Sequence, residues 1–340
     1  MSNMRPSQQS VKHKCLICML LTDSTITMKA AVLERIGASP KFKIKELPSP
    51  AIKSGQVRIR NYASSVSPVD TMIRQGKAVL ASAGLSNQII GSDFSGRVIA
   101  SKSRLFKEGD EVYGMRPIIK GGAYAEELVI DDDLVVLKPT NLTFLEAGVI
   151  PLVGLTAYQA LFKVGRLQAK ENVLITGCTG GVGAAAVQLA QSMNAHISGL
   201  CSENHRAYAN AIGCDVVIDY KNQQIPSGAR FDLIFDAAGM YTYSDLKHHL
   251  AEHGLFVTTR GETNNIKGIV KTAVDVVFEP NMKFVFVKPN AEDLLALKGF
   301  IERGQLKPHI AHTFSLEQLT EAHRLMKKGG FVAKIAIDIS

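Results

Sequence analysis

The sequence predicts an α/β fold in which a doubly wound parallel sheet follows a barrel-like β domain. Three observations predict it. A β-branched run, Val173–Thr176, feeds into a turn crowded with Gly177, Gly180, Gly181 and Gly183, and an Ala-rich helical pattern continues from Ala184. Beyond that turn apolar strands and helical stretches alternate, as they do where crossovers link parallel strands. Before it, short strands recur at close intervals between glycine turns, the pattern of a small barrel.

The first part opens with strands at Lys29–Leu33, Lys41–Leu47 and Gln56–Tyr62, the last two alternating apolar with polar residues. Ser64–Gly76 is a polar loop entering a short helix. Ile89–Ala100, Phe106–Gly114 and Glu127–Ile130 add further strands, and the last is introduced by Gly121-Gly122-Ala123-Tyr124-Ala125-Glu126. From Leu145 to Val164 the pattern turns helical, with interruptions expected at Pro151 and Gly154. Strands then follow at Val173–Thr176, His196–Leu200, Val216–Ile218, Asp232–Phe235, Leu255–Thr259 and Lys283–Val287, with helices such as Ala184–Met193 and Arg206–Ile212 between them. Asn264–Val277 has the spacing of a covering helix. Helices at Glu292–Gly304 and Leu316–Lys328 precede a last strand, Lys334–Ile339. That strand has no place in a six-stranded sheet and is expected to return to the first β domain. The implied division is an extension over 1–27, a β domain over 28–152, a nucleotide-binding domain over 153–290 and a closing segment over 291–340.

A chain of 340 residues with 46% hydrophobic and 21% charged content can bury a sizeable core in two such domains. The net charge of +8 suits an anionic small ligand. No compact Lys/Arg run of the kind a DNA reader carries is present, so nucleic acid is not the expected partner. Cys15, Cys18, Cys178, Cys201 and Cys214 are odd in number and irregularly spaced, which argues for a reducing compartment, and the cytoplasm is the expected location. The apolar run Cys15–Leu21 is too short to span a bilayer. The extension itself reads as disordered, or as the product of a start assigned ahead of Met28.

The glycine turn carries the first chemical inference. Strand, turn and helix in that order aim backbone N–H groups and a helix N-terminus at one point, which favours a pyrophosphate. An NAD site carries Asp or Glu at the end of the second strand, about 20 residues past the glycines. Here that strand ends Leu200-Cys201-Ser202, the acid comes only at Glu203, and Arg206 follows. A hydroxyl with a guanidinium suits a 2′-phosphate, and Tyr220 adds a phenolic donor. NADPH is therefore the expected cofactor. The alternative is that Ser202 merely caps the following helix.

The second inference comes from absences. No cysteine lies between Cys18 and Cys178 and no histidine between His13 and His196. The β domain thus lacks the ligands that typify zinc sites and the commonest general acid–base side chain. An electrophile that takes hydride without a Lewis acid is expected there. Quinones and conjugated enones qualify, because the charge delocalises onto an oxygen that needs only a hydrogen-bond donor.

Several segments together resemble a known family. They are S-P-V-D-T-M-I-R-Q-G (67–76), G-S-D-F-S-G (91–96), F-K-E-G-D-E-V-Y-G (106–114), G-G-A-Y-A-E (121–126), P-L-V-G-L-T-A-Y-Q-A-L (151–161), G-C-T-G-G-V-G (177–183), V-I-D-Y (217–220) and F-D-A-A-G (235–239). From about Met28 onward the chain is similar to zinc-independent members of the medium-chain dehydrogenase/reductase superfamily, in the quinone oxidoreductase-like branch. The resemblance implies a GroES-like catalytic domain beside a Rossmann-like nucleotide-binding domain. It places Ser67 and Asp70 in the nicotinamide and substrate cleft, as the candidate catalytic residues. Thr156 would approach the carboxamide, Gly177, Gly180, Gly181 and Val182 the pyrophosphate, and Ser202, Arg206 and Tyr220 the adenosine phosphate. Val287 and Pro289 would border the nicotinamide end. Zinc-containing relatives carry cysteine in the 67–70 loop and Gly-His-Glu at 91–93, where this chain has Ser67 and Ser92-Asp93, so no metal is expected. The branch usually has Asn in place of Ser67. The tyrosine donor of enoyl-thioester reductases has no counterpart at Gly76-Lys77-Ala78.

The function so implied is an NADPH-dependent reduction of quinones or α,β-unsaturated carbonyl compounds by direct hydride transfer. The alternatives are NADP-dependent alcohol or aldehyde chemistry, and a nucleotide-binding protein with an RNA-binding or scaffold role. Lys283–Val287 reads as an apolar edge strand, so a homodimer is expected.

Overall fold

The computed structural model describes residues 27–37, 39, 41–77, 88–260 and 279–340. The extension with its Cys15-x-x-Cys18 pair, the segment Asn264–Val277 and Ala78 lie outside the described residues.

In chain order, β1 (Thr27–Leu33), β2 (Phe42–Pro48), β3 (Gln56–Val66), α1 (Pro68–Arg74), β4 (Gln88–Ile89), β5 (Asp93–Ser101), β6 (Glu111–Met115), β7 (Glu127–Asp131) and β8 (Val135–Leu137) build the first part. β1 pairs antiparallel with β2 and β4 in a small sheet. β3 is the spine of the larger one, with β5 and β7 both antiparallel to it. The alternation read in the sequence is realised there. Val57 and Ile59 point inward to meet Phe94, Val98, Val112, Leu128 and Val135, and the intervening Arg58 and Arg60 reach Glu127 and Glu126.

The helical stretch divides differently from expectation. α2 (Phe144–Ala147) ends at Gly148, and α3 begins at Pro151 and runs to Tyr158. Proline is well placed there because the first helical residue has no intrahelical use for an N–H. Gly154 does not interrupt this helix. A Cβ on it would come 3.1 Å from Leu297 Cδ1, so its bare backbone is what lets another helix pack closely.

β9 (Asn172–Thr176), α4 (Gly181–Gln191), β10 (His196–Cys201), α5 (Arg206–Ala211), β11 (Val216–Asp219), β12 (Phe231–Asp236), α6 (Tyr243–Leu246), β13 (Leu250–Thr258) and β14 (Met282–Phe284) follow. The strands form one parallel sheet in the order β11-β10-β9-β12-β13-β14. The order reverses beside β9, so the glycine turn stands at the switch point where such sheets bind ligands. Both faces are buried. Val173, Ile175, Leu233, Phe235 and Val257 face one core while Leu174, Ile234 and Phe256 face another. β14 is shorter than the expected Lys283–Val287. Its pairing stops at Phe284, and Lys288 beyond it bonds in both directions to the Gln159 side chain instead of continuing a ladder.

α7 (Ala291–Glu302), β15 (Ile310–Ser315), α8 (Leu319–Lys328) and β16 (Lys334–Asp338) complete the chain. β16 pairs antiparallel with β3, so the last strand does return to the first sheet. Leu316 lies before α8 rather than in it, where its side chain is buried against Ile335 and Ile337.

Candidate active site

Physical constraints at the glycine turn are specific to each position. Gly177 has φ 57°, and a Cβ on it would lie 2.8 Å from that of Ala238. At Gly183 a Cβ would fall 2.1 Å from the Gly177 carbonyl oxygen, so strand and helix meet only because it is absent. Gly180 differs. It is exposed, its φ is −77°, and a Cβ would meet nothing closer than the Gly177 oxygen at 3.4 Å. The first turn of α4, Gly181 and Val182 included, receives no side-chain cap from Gly180. An open cradle beside uncapped helix donors fits a diphosphate.

The three adenosine-end candidates converge at the ends of β10 and β11. Tyr220 N bonds the Cys201 carbonyl at 3.2 Å, its ring is exposed, and Ser202 makes no cap to the turn that follows. Arg206 is not free, however. Its Nε and Nη2 each lie 2.7 Å from a Glu203 oxygen, and Nη1 donates to the Val217 carbonyl at 2.8 Å. The fork pulls the Glu203 carboxyl below its ordinary range and so satisfies the guanidinium that a 2′-phosphate would want. His205, one residue earlier, lies 3.4 Å through Nδ1 from Thr179 Oγ1 of the glycine turn.

At the other end, Val285 N bonds the Thr258 carbonyl and carries the chain past the strand tips toward Val287 and Pro289. Both residues are half-buried. Gln159 fixes them. Its amide bonds Lys288 N and O at 3.0 and 2.7 Å and the Asp293 carboxylate at 2.8 Å. Thr156, one turn before Gln159, is buried with its hydroxyl donated to the Leu152 carbonyl, and it keeps lone pairs to accept with. Asp236, at the end of β12, ties three strands together. Fully buried, it accepts from the hydroxyls of Thr176 (2.6 Å) and Thr258 (2.9 Å) and from the amides of Met240 and Tyr241.

Ser67 and Asp70 come together with two residues that the sequence reading did not assign, Asp93 and Lys334. Ser67 is the N-cap of α1, and its amide donates to Asp70 Oδ2 at 2.8 Å. Lys334 Nζ donates to Ser67 Oγ at 2.7 Å and lies 3.7 Å from Asp93 Oδ2. Asp93 also accepts from Ser65 Oγ at 2.5 Å and from Leu152 N, the start of α3, at 2.6 Å. All four residues are less than 5% exposed. Burial drives Asp93 and Lys334 toward their neutral forms, and the charge of each opposes the shift of the other. The signals available in the sequence were weak. In the sequence Asp93 marks only the place where a zinc ligand is missing, and Lys334 opens a strand. Among the described residues no group of three His, Cys, Asp or Glu could hold a metal ion, and no helix is long and apolar enough to cross a membrane.

Asp70 carries a pH signature. Burial raises its carboxyl from 3.8 to about 7, against the opposing effects of the Ser67 amide and Lys334, and Oδ1 has no hydrogen-bond partner. Between those two values the folded state holds a proton that the unfolded chain has released. Its contribution therefore favours folding at low pH and is lost as pH rises through 7, each tenfold difference in proton affinity being worth about 1.4 kcal/mol. Asp70→Asn keeps the cap and removes the titration. Its urea midpoint is expected to fall less than that of wild type between pH 5 and pH 8. Parallel curves for the two proteins would contradict this.

Residues 53–140 match the model of the alcohol dehydrogenase GroES-like domain, and residues 212–337 match that of a zinc-binding dehydrogenase. The chain belongs to the medium-chain dehydrogenase/reductase superfamily, an oxidoreductase family whose members bind nicotinamide cofactors. Its relatives include proteins named as quinone oxidoreductases and as an enone reductase. A 2-methylene-furan-3-one reductase of Solanum lycopersicum is 31% identical over 301 residues, covering 85% of this chain and 73% of its own length. A chloroplast envelope quinone oxidoreductase homolog of Arabidopsis thaliana is 28% identical, covering 89% of this chain and 95% of its own. The quinone oxidoreductase of Coxiella burnetii superposes with a TM-score of 0.82 at 25% identity, over 93% of this chain and all of that one.

Proposed function

We propose that this protein is an NADPH-dependent reductase of quinones or α,β-unsaturated carbonyl compounds that works without a metal and acts as a homodimer. The observation that carries the reading is the open cradle at Gly180, beside which the Lys334 stem passes Gly181 on its way to Ser67 and Asp93. Gly177, Gly180, Gly181 and Val182 would hold the diphosphate, Ser202, Arg206 and Tyr220 the adenosine phosphate, and Thr156, Val287 and Pro289 the nicotinamide. A reduced nicotinamide bound there supplies the hydride. The chain's own part is to orient the substrate, exclude water and offer a donor to the oxygen that becomes anionic. Ser67 suits that last task. Its oxygen already accepts from Lys334, so its own proton is left to donate. The relatives named for enone and quinone reduction support the substrate class.

Turnover of NADPH with an ortho-naphthoquinone or an enone, followed by absorbance, tests the reading. Tight NADPH binding with no turnover across a panel of both classes would leave it without support. Cofactor preference has its own test. Glu203→Gln releases Arg206 for the 2′-phosphate, so the ratio of NADPH to NADH affinity is expected to rise several-fold by titration calorimetry. An unchanged ratio would show that the 2′-phosphate does not meet Arg206.

A further inference from the structure

Lys334 is a buried cation that reaches across two parts of the molecule. Just before it, Ala333 N donates to the Thr179 carbonyl at 2.7 Å and Ala333 pairs with Gly180, so the backbone is fastened to the glycine turn. Ala333 sits at φ 56°, an uncommon conformation for a residue with a Cβ. The chain bends there from the glycine turn onto β3, where Ile335 faces Val66. The side chain continues the link. Its stem crosses the start of α4 so closely that a Cβ on Gly181 would lie 2.9 Å from Lys334 Cδ. Its ammonium ends against Ser67 Oγ at 2.7 Å, the Val66 carbonyl at 3.5 Å and Asp93 Oδ2 at 3.7 Å. Asp93 in turn receives the first amide of α3 from Leu152, and Val153 of that helix lies on the same side of Gly181 as the lysine stem. A lysine is among the costliest side chains to bury. An apolar residue would pack at this junction without that cost, but it could not hold a hydroxyl and a carboxylate together.

We propose that Lys334 is a positioning residue: it keeps the loop at Ser67–Asp70 in register with the glycine turn that grips the cofactor, so that Ser67 stands in a fixed place relative to the bound dinucleotide. This rests on the reductase reading for its catalytic consequence, but not for its structural one. Lys334 is buried, and its ammonium is taken up by Ser67, the Val66 carbonyl and Asp93. It acts through Ser67.

Two variants separate this role from plain charge neutralisation. Lys334→Met preserves the length of the stem and strands Asp93, so it is expected to lower the melting temperature. In Lys334→Met/Asp93→Asn both buried charges are gone, and the melting temperature is expected to return close to the wild-type value. Amide exchange of the ligand-free full chain then decides. In both variants the amides of Ser67 and of Val69 to Met72 are expected to exchange about tenfold faster, while those of β9 and β12 in the double variant keep wild-type rates. Wild-type exchange at 67–72 in the double variant would mean that Lys334 only neutralises Asp93, and the proposal would fall. With NADPH and a quinone, kcat of the double variant is expected to drop about tenfold with KM for NADPH unchanged. A raised KM with intact kcat would put Lys334 in cofactor binding and overturn the positioning role. If the wild-type protein turns over nothing, the reductase reading fails, and the exchange rates still decide what Lys334 does.

Discussion

Gly180→Ala is expected to fold and melt like the wild-type chain and yet bind NADPH about 10- to 100-fold more weakly, the worth of one or two hydrogen bonds to a charged group. The backbone at Gly180 is in an ordinary extended conformation and the added methyl meets only the Gly177 oxygen at 3.4 Å, so the fold has no objection to it. The methyl would occupy the space a phosphate needs to reach the amides. Gly183→Ala is expected to do the reverse. Its methyl would lie 2.1 Å from a backbone oxygen, and the cost is at least ~3 kcal/mol of stability because neither strand nor helix can give way. Melting curves together with calorimetric titration of both variants check the pair. Tight NADPH binding by folded Gly180→Ala would remove the diphosphate from this turn.

Asp236→Ala is expected to destabilise the protein by about 3–5 kcal/mol in urea unfolding. The deletion leaves the hydroxyls of Thr176 and Thr258 without their acceptor, each at the end of a different strand, and frees two loop amides. Asp236→Asn is expected to recover part of the loss, since one amide oxygen still accepts. Full stability in Asp236→Ala would mean that water takes over the role and that the strand ends are not held as described.

Much of this architecture was legible because it rests on local periodicity. The strand–glycine–helix unit at 173–190 is written in consecutive residues, and the return of the last strand followed from a six-stranded sheet having no place for it. Gly154 misled because glycine usually weakens a helix, whereas here a partner helix needs the missing methyl. Lys334 could not be seen. Its contact with Ser67 closes a separation of 267 residues, and a lysine opening a strand ordinarily faces water. The Glu203–Arg206 pair sat in plain view at helical spacing, but whether the acid would face the arginine or a ribose depended on backbone geometry that spacing does not carry.

The buried ammonium also limits how this pocket could be re-engineered. A designer wishing to make a metalloenzyme of it would graft a thiolate at Ser67 and an imidazole at Ser92, and so bring a divalent ion up against a resident positive charge. The incoming ion and the ammonium would compete for the same carboxylate at Asp93, and repulsion in so dry an environment would favour the tenant already covalently attached. Any such conversion therefore begins at the far end of the chain, with the lysine, and only afterwards at the ligands.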